Sequence, residues 1–241
     1  MPFHFSEIFL SAGMLIPLLV AFLVWRKISE NSKKLFAEKE QKTISLITAL
    51  LLFGWFAVVV LLALIGVYHV RSDFLSPLVP IGVVVPGVLV LGLVLFSSTV
   101  KKIVDSLSMH WLISLQLFRV LGIVFLWQLE AGRLPGLFAI PSGYGDIIIG
   151  ITAPIVAFIC LKKIPFSKII AFLWNIFGIL DLVVSICLGV LLAFPAPFQL
   201  VAVTPTTEIM TMFPMVLVPV YAVPLAFILH VFCLRGLFNK K

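Results

Sequence analysis

Of the 241 residues, 62% are apolar and 11% are charged, and the formal net charge is +7. A soluble domain carries about 25% charged residues, so this composition, gathered into apolar runs of ~18 residues or more, excludes an ordinary soluble globular domain. It predicts an all-α integral membrane protein, a single transmembrane domain over residues 1–241.

The first run, 8–25, follows Glu7 and ends in Trp25-Arg26-Lys27. It lacks a basic start and a small-residue cleavage site, so it reads as a retained helix rather than a signal peptide. The polar block Arg26–Thr43 separates it from the second run, 44–68. The third run, 78–96, holds Pro80 and Pro86, and a link with Lys101 and Lys102 leads to the fourth, 110–129. The fifth run is 144–161, and Lys162, Lys163 and Lys168 stand between it and the sixth, 169–192. The seventh, 214–234, contains Pro214, Pro219 and Pro224 and is followed by Arg235, Lys240 and Lys241.

Seven continuous runs of this length suit helices crossing ~30 Å of hydrocarbon, and their lack of alternation argues against a β-barrel. Lys and Arg collect in every second link and in the tail, whereas the opposite links hold Arg71 and Arg133. The basic side belongs inside, which predicts the N-terminus outside and the C-terminus cytoplasmic, in a bacterial cytoplasmic (inner) membrane. The same sorting explains the net charge. Membrane lipids are therefore expected partners and nucleic acid is not. Cys160, Cys187 and Cys233 fall in different runs or at different depths, which predicts neither a disulfide framework nor a zinc cluster.

The first and fifth runs read alike: Pro17, Val20-Ala21-Phe22 and Arg26-Lys27-Ile28 against Pro154, Val156-Ala157-Phe158 and Lys162-Lys163-Ile164. The second and sixth share Phe53, Gly54, Val59 and Val60 against Phe177, Gly178, Val183 and Val184. Proline-broken third and seventh runs complete a 3+1+3 parallel repeat, with the fourth helix as linker. In layout this resembles the SWEET and PQ-loop transporters, which implies a small-molecule site near the midplane. Pro17-Leu18 and Pro154-Ile155 depart from the Pro-Gln dipeptide, so the resemblance transfers no site residues.

Two charges interrupt the apolar runs. Arg119 lies midway along the fourth and Asp181 midway along the sixth. Each costs ~3 kcal/mol at a bilayer centre on insertion scales, so the two are expected to pair. Gln116 shares the face of Arg119, and Asn175, Gly178 and Asp181 form a slanted stripe. Gly122 and Gly178 are expected to let helices approach closely.

The Gly- and Pro-rich segment Glu130–Asp146 reads as an outer loop, with Asp146 in the first turn of the fifth helix, where it either caps the helix at the interface or forms an outer gate with Arg133. Gly143-Tyr144-Gly145-Asp146 has the letters of a potassium-filter tetrapeptide but lacks the preceding Thr-Val. The histidines are scattered, the seventh run has no lysine for retinal, and no cofactor or metal is implied.

These features predict a transporter of a small molecule or ion, with a substrate site of Gln116, Arg119, Asn175, Asp181 and Asp146. The alternatives are an intramembrane or lipid-modifying enzyme built on Asp146, Glu130 and Arg133, and a receptor or assembly subunit whose salt bridge is structural.

Overall fold

A computed structural model describes Gly13 and residues 15–69, 78–193 and 201–238. Glu7, Arg71, Lys240 and Lys241, used above for topology, lie outside them. The described residues are helical, without strands. In chain order the helices are α1 (Leu15–Leu35), α2 (Glu38–Leu64), α3 (Leu78–Phe96), α4 (Ser98–Asp105), α5 (Met109–Glu130), α6 (Gly136–Leu161), α7 (Ser167–Leu191) and α8 (Val218–Phe238).

Among the described residues, six helices are long and apolar enough to cross a membrane: α2, α3, α5, α6, α7 and α8. The first predicted run enters the described residues only from Gly13, and its helix continues through the basic block to Leu35. Large apolar side chains line the outside, with Leu61 and Leu89 each 62% exposed. A continuous apolar exterior of this kind belongs against lipid, and the six apolar helices fit a membrane protein.

Helix ends differ from the sequence expectation for local reasons. The second helix starts at Glu38 rather than at residue 44, because Glu40 Oε2 accepts from the Ala37 N–H at 3.2 Å and the first turn is acidic. The link holding Lys101 and Lys102 is itself a helix, α4, which buries Ile103 and Val104 and is capped by Ser97.

The larger correction concerns Glu130–Asp146, which is not a long loop. Gly132, at φ +68°, ends α5 in a Schellman turn: its N–H donates to Leu129 O at 2.9 Å and Arg133 N–H to Gln128 O at 2.8 Å. Pro135 then caps α6, which begins at Gly136, about two turns before residue 144. Asp146 is therefore not in a first turn but ~15 Å along the helix. The Gly-Tyr-Gly-Asp tetrapeptide is helical.

Helix α6 packs most closely, against α5 and against α7, and glycines set the spacing. A methyl group on Gly150 would stand 2.5 Å from the Val120 backbone nitrogen, and one on Gly143 would stand 2.9 Å from Leu126 Cδ2. Between α3 and α8, Gly82 does the same against Val220.

Two π-helical segments answer each other across the bundle, Leu50–Gly54 in α2 and Val218–Ala222 in α8. Pro224 has no N–H to offer the Val220 carbonyl, and the Trp55 indole donates there instead at 3.1 Å. Tyr221 Oη donates to Leu52 O at 3.2 Å. Backbone groups freed by the broken ladders are thus satisfied inside the protein, as a lipid environment requires.

The α5–α6 turn, the start of α3, the end of α7 and the start of α8 share one end of the bundle. There Thr207 ties the α7–α8 connection down, with its N–H to Leu192 O at 3.0 Å and its hydroxyl to Gly189 O at 2.7 Å.

Candidate functional site

The site is built around a change of helical pitch. Within α5, Gln116–Gly122 is a 3₁₀ stretch, in which residues three apart eclipse. Gln116, Arg119 and Gly122 therefore stack on one face. This face meets α6 and α7, and the missing side chain at Gly122 leaves the room that the Cβ of Asp146 occupies.

Arg119 is buried, with 1% of its side chain exposed. Its guanidinium is held from three helices. Nε donates to Asp146 Oδ1 on α6 at 2.6 Å, and Nη2 donates to Asp181 Oδ2 on α7. Nη1 faces Gly178 O and His230 Nε2, each at 3.3 Å. Four of its five N–H groups thus have partners inside the protein. Charge-assisted bonds of this kind are the strong ones.

From His230 the bonds continue with one polarity. His230 Nδ1 lies 2.8 Å from Asn175 Oδ1, and Asn175 Nδ2 donates to Ala171 O at 2.7 Å and reaches Cys233 Sγ at 3.2 Å. The amide oxygen accepts, so the imidazole hydrogen sits on Nδ1 and the Nε2 lone pair faces Arg119. The His230 ring packs on Trp174 with centroids 5.4 Å apart. Gly178 makes this possible, since a Cβ there would meet the ring at 2.5 Å.

All five residues singled out from the sequence lie on the helices that meet here. Arg119 and Asp181 pair as expected. Asp146 joins them directly rather than standing above them as a gate, because it lies mid-helix. Arg133 stays in the α5–α6 turn, about 15 Å of helix away, and the grouping of Asp146 with Glu130 and Arg133 is not formed. Asn175 enters only through His230. Gln116 sits one turn from Arg119, donates to Ala226 O at 2.9 Å, and has no partner for Oε1 among the described residues.

His230 is the residue that sequence reasoning passed over. Its signal was present: a polar residue in an apolar run, at the depth of Asn175.

Two cavities flank the acids. One, of about 90 Å³, lies at the α5–α6 turn end between α3, α7, α8 and the Thr207 connection, and Asp146 is the one charged residue among the described residues that line it. The other, of about 50 Å³, lies toward α1 and α8 and is lined by both Arg119 and Asp146. Each has room for water molecules.

Gly145 is what admits Asp181. A Cβ there would overlap the Asp181 carboxylate, which Arg119 holds in place. Gly145→Ala is expected to cost about 1–3 kcal/mol, and most of that cost is expected to vanish in an Asp181→Ala background. Thermal unfolding of the four proteins of this cycle checks it; additive penalties would mean that the two residues do not collide.

Residues 76–238 match a family described as a domain of unknown function, DUF8737. No curated protein and no solved structure matches the chain.

Proposed function

The chain belongs to the DUF8737 family, and since the matched residues hold the whole Arg119 network, we propose that this network is a transport site for a small molecule or ion within the membrane. One observation carries the reading. A guanidinium buried among apolar helices is shared by two carboxylates from two other helices, and one of those carboxylates, Asp146, opens onto both cavities. A charged group in lipid is costly, and a structural clamp between two helices needs neither a second acid nor a cavity.

The reading takes the bundle as seven crossing helices, with α1 continuing the first apolar run and the N-terminus outside, by the distribution of Lys and Arg. The larger cavity then faces outward, and His230, Asn175 and Cys233 lie on the cytoplasmic side of Arg119. The 3₁₀ stretch and the two π-helical segments supply places where helices can change pitch. The parallel repeat belongs to the same reading, with the polar site confined to its second half and the linker helix.

The test is charge movement in proteoliposomes on a solid-supported membrane, driven by jumps in pH, Na⁺ or tetramethylammonium. At least one of these is expected to produce a current in the native protein. Arg119→Ala and Asp181→Asn, both checked for a folded elution profile, are expected to lower it about tenfold or more, the scale of one lost charge-assisted contact. Currents left intact by both substitutions would remove the transport reading.

A further inference from the structure

We propose that the larger cavity binds a small organic cation, an alkylammonium of a few heavy atoms, with Asp146 as its counter-ion. This deepens the transport reading above and rests on it.

The first support is charge. Arg119 brings one positive charge to two acids, and no other Lys or Arg pairs with either acid among the described residues. With both acids ionised, one negative charge is left over. Asp146 is the acid that presents it to open space: its side chain is 17% exposed against 9% for Asp181, and it lines both cavities while Asp181 lines neither. Asp146 also meets Arg119 through Oδ1 alone, so its second oxygen makes no bond to the guanidinium.

The second support is the wall. The rest of the lining is aliphatic side chains of α3, α7 and α8, Val83 and Ile186 among them, and the rings of Phe125 and Phe138, edge to face at 5.4 Å. A bare metal cation wants a shell of oxygen ligands. Here the other side-chain oxygens that line the cavity are the hydroxyls of Ser185, Thr207 and Thr211, which with the carboxylate fall short of the roughly six to eight oxygens of a calcium shell. An ammonium dressed in methyl or methylene groups asks instead for one carboxylate, aromatic faces and apolar walls. For a primary to tertiary ammonium, Ser185, one turn from Asp181 on α7, adds a hydroxyl acceptor for an N–H; a quaternary ammonium relies on the carboxylate, rings and apolar wall alone.

The third support is size. The 90 Å³ cavity is about three-fifths of a ~150 Å³ cavity that admits benzene, which limits the cation to a few heavy atoms and excludes a drug-sized amine.

The experiment is thermal unfolding of the purified chain in detergent with tetramethylammonium chloride, sodium chloride at equal ionic strength, or tert-butanol as a neutral molecule of the same shape. Tetramethylammonium is expected to raise the midpoint beyond either control. Its apparent affinity is expected to fall about tenfold or more in Asp146→Asn, and likewise in Val83→Phe, which fills the cavity without altering a charge. No rise beyond sodium chloride, or a rise that survives both substitutions, overturns the proposal. The two readings separate cleanly. Binding that depends on Asp146 and Val83, without current from any ion, keeps this site and removes transport. A proton or sodium current that depends on Arg119 and Asp181, with no tetramethylammonium binding, keeps transport and removes this site.

Discussion

Arg119→Met is expected to destabilise the protein by about 3–5 kcal/mol, and adding Asp146→Asn and Asp181→Asn is expected to restore at least half of that loss. Methionine approximates the length of the arginine stem without its charge, so the single substitution leaves two carboxylates facing each other in an apolar interior. Both are held there by geometry: Asp146 is wedged against Gly122, and Asp181 against Gly145. Neutral amides at both positions remove the unpaired charge and can bond locally. Reversible unfolding in mixed micelles measures all three proteins. A loss under ~1 kcal/mol in Arg119→Met would show that the guanidinium is not holding the acids. The triple variant also separates two functions for one network. A folded triple variant without current is the outcome for a transport site; one with full current would leave Arg119 a purely structural clamp.

Gly150→Ala is expected to be nearly as damaging, at about 2–3 kcal/mol, and to abolish current without removing any polar group. The added methyl would meet Val120 N at 2.5 Å, Val120 Cγ2 at 2.7 Å and the Arg119 carbonyl carbon at 3.1 Å. Two of these are backbone atoms and have no rotamer to give. Helix α5 must therefore move away from α6, and Arg119 moves with it, off Asp146. Gly92→Ala, with nothing within 4 Å of the added methyl, is the matched control and is expected to leave stability unchanged or raise it by up to ~1 kcal/mol. Equal effects from the two alanines would mean that α5 and α6 do not rely on this contact.

The importance of Gly150 illustrates what a linear reading weighs poorly. Glycine in an apolar run signals close approach in general, as at Gly122 and Gly178. Gly143 and Gly145 fall in a Gly- and Pro-rich segment with the letters of a filter tetrapeptide, and that density hides the same signal there. Yet the true boundary was written in Glu130-Ala-Gly-Arg-Leu-Pro135: a glycine just past a helix end and a proline opening the next. The density of Gly and Pro beyond it outweighed these two signals. In water such a stretch breaks helices. Packed between apolar helices its remaining backbone bonds form within the helix, and α6 runs on through Pro141 and Pro154.

Hydropathy and charge order alone determined that the chain is helical and apolar, with long spans near 78–96, 110–129 and 169–192. They also marked Arg119 and Asp181 as costly enough to need each other. These are local properties, since each residue's transfer free energy and each helix's length are set without reference to a partner. Tertiary structure decided the rest. Whether Arg119 meets one acid or two depends on where α6 begins, and on glycines small enough to bring α6 and α7 against the 3₁₀ turn of α5. Whether His230 is isolated or is the next link after Arg119 depends on how α8 crosses α7 at Gly178. Contacts between helices are fixed by side-chain volume and facing angle at each crossing, and a one-dimensional pattern carries neither.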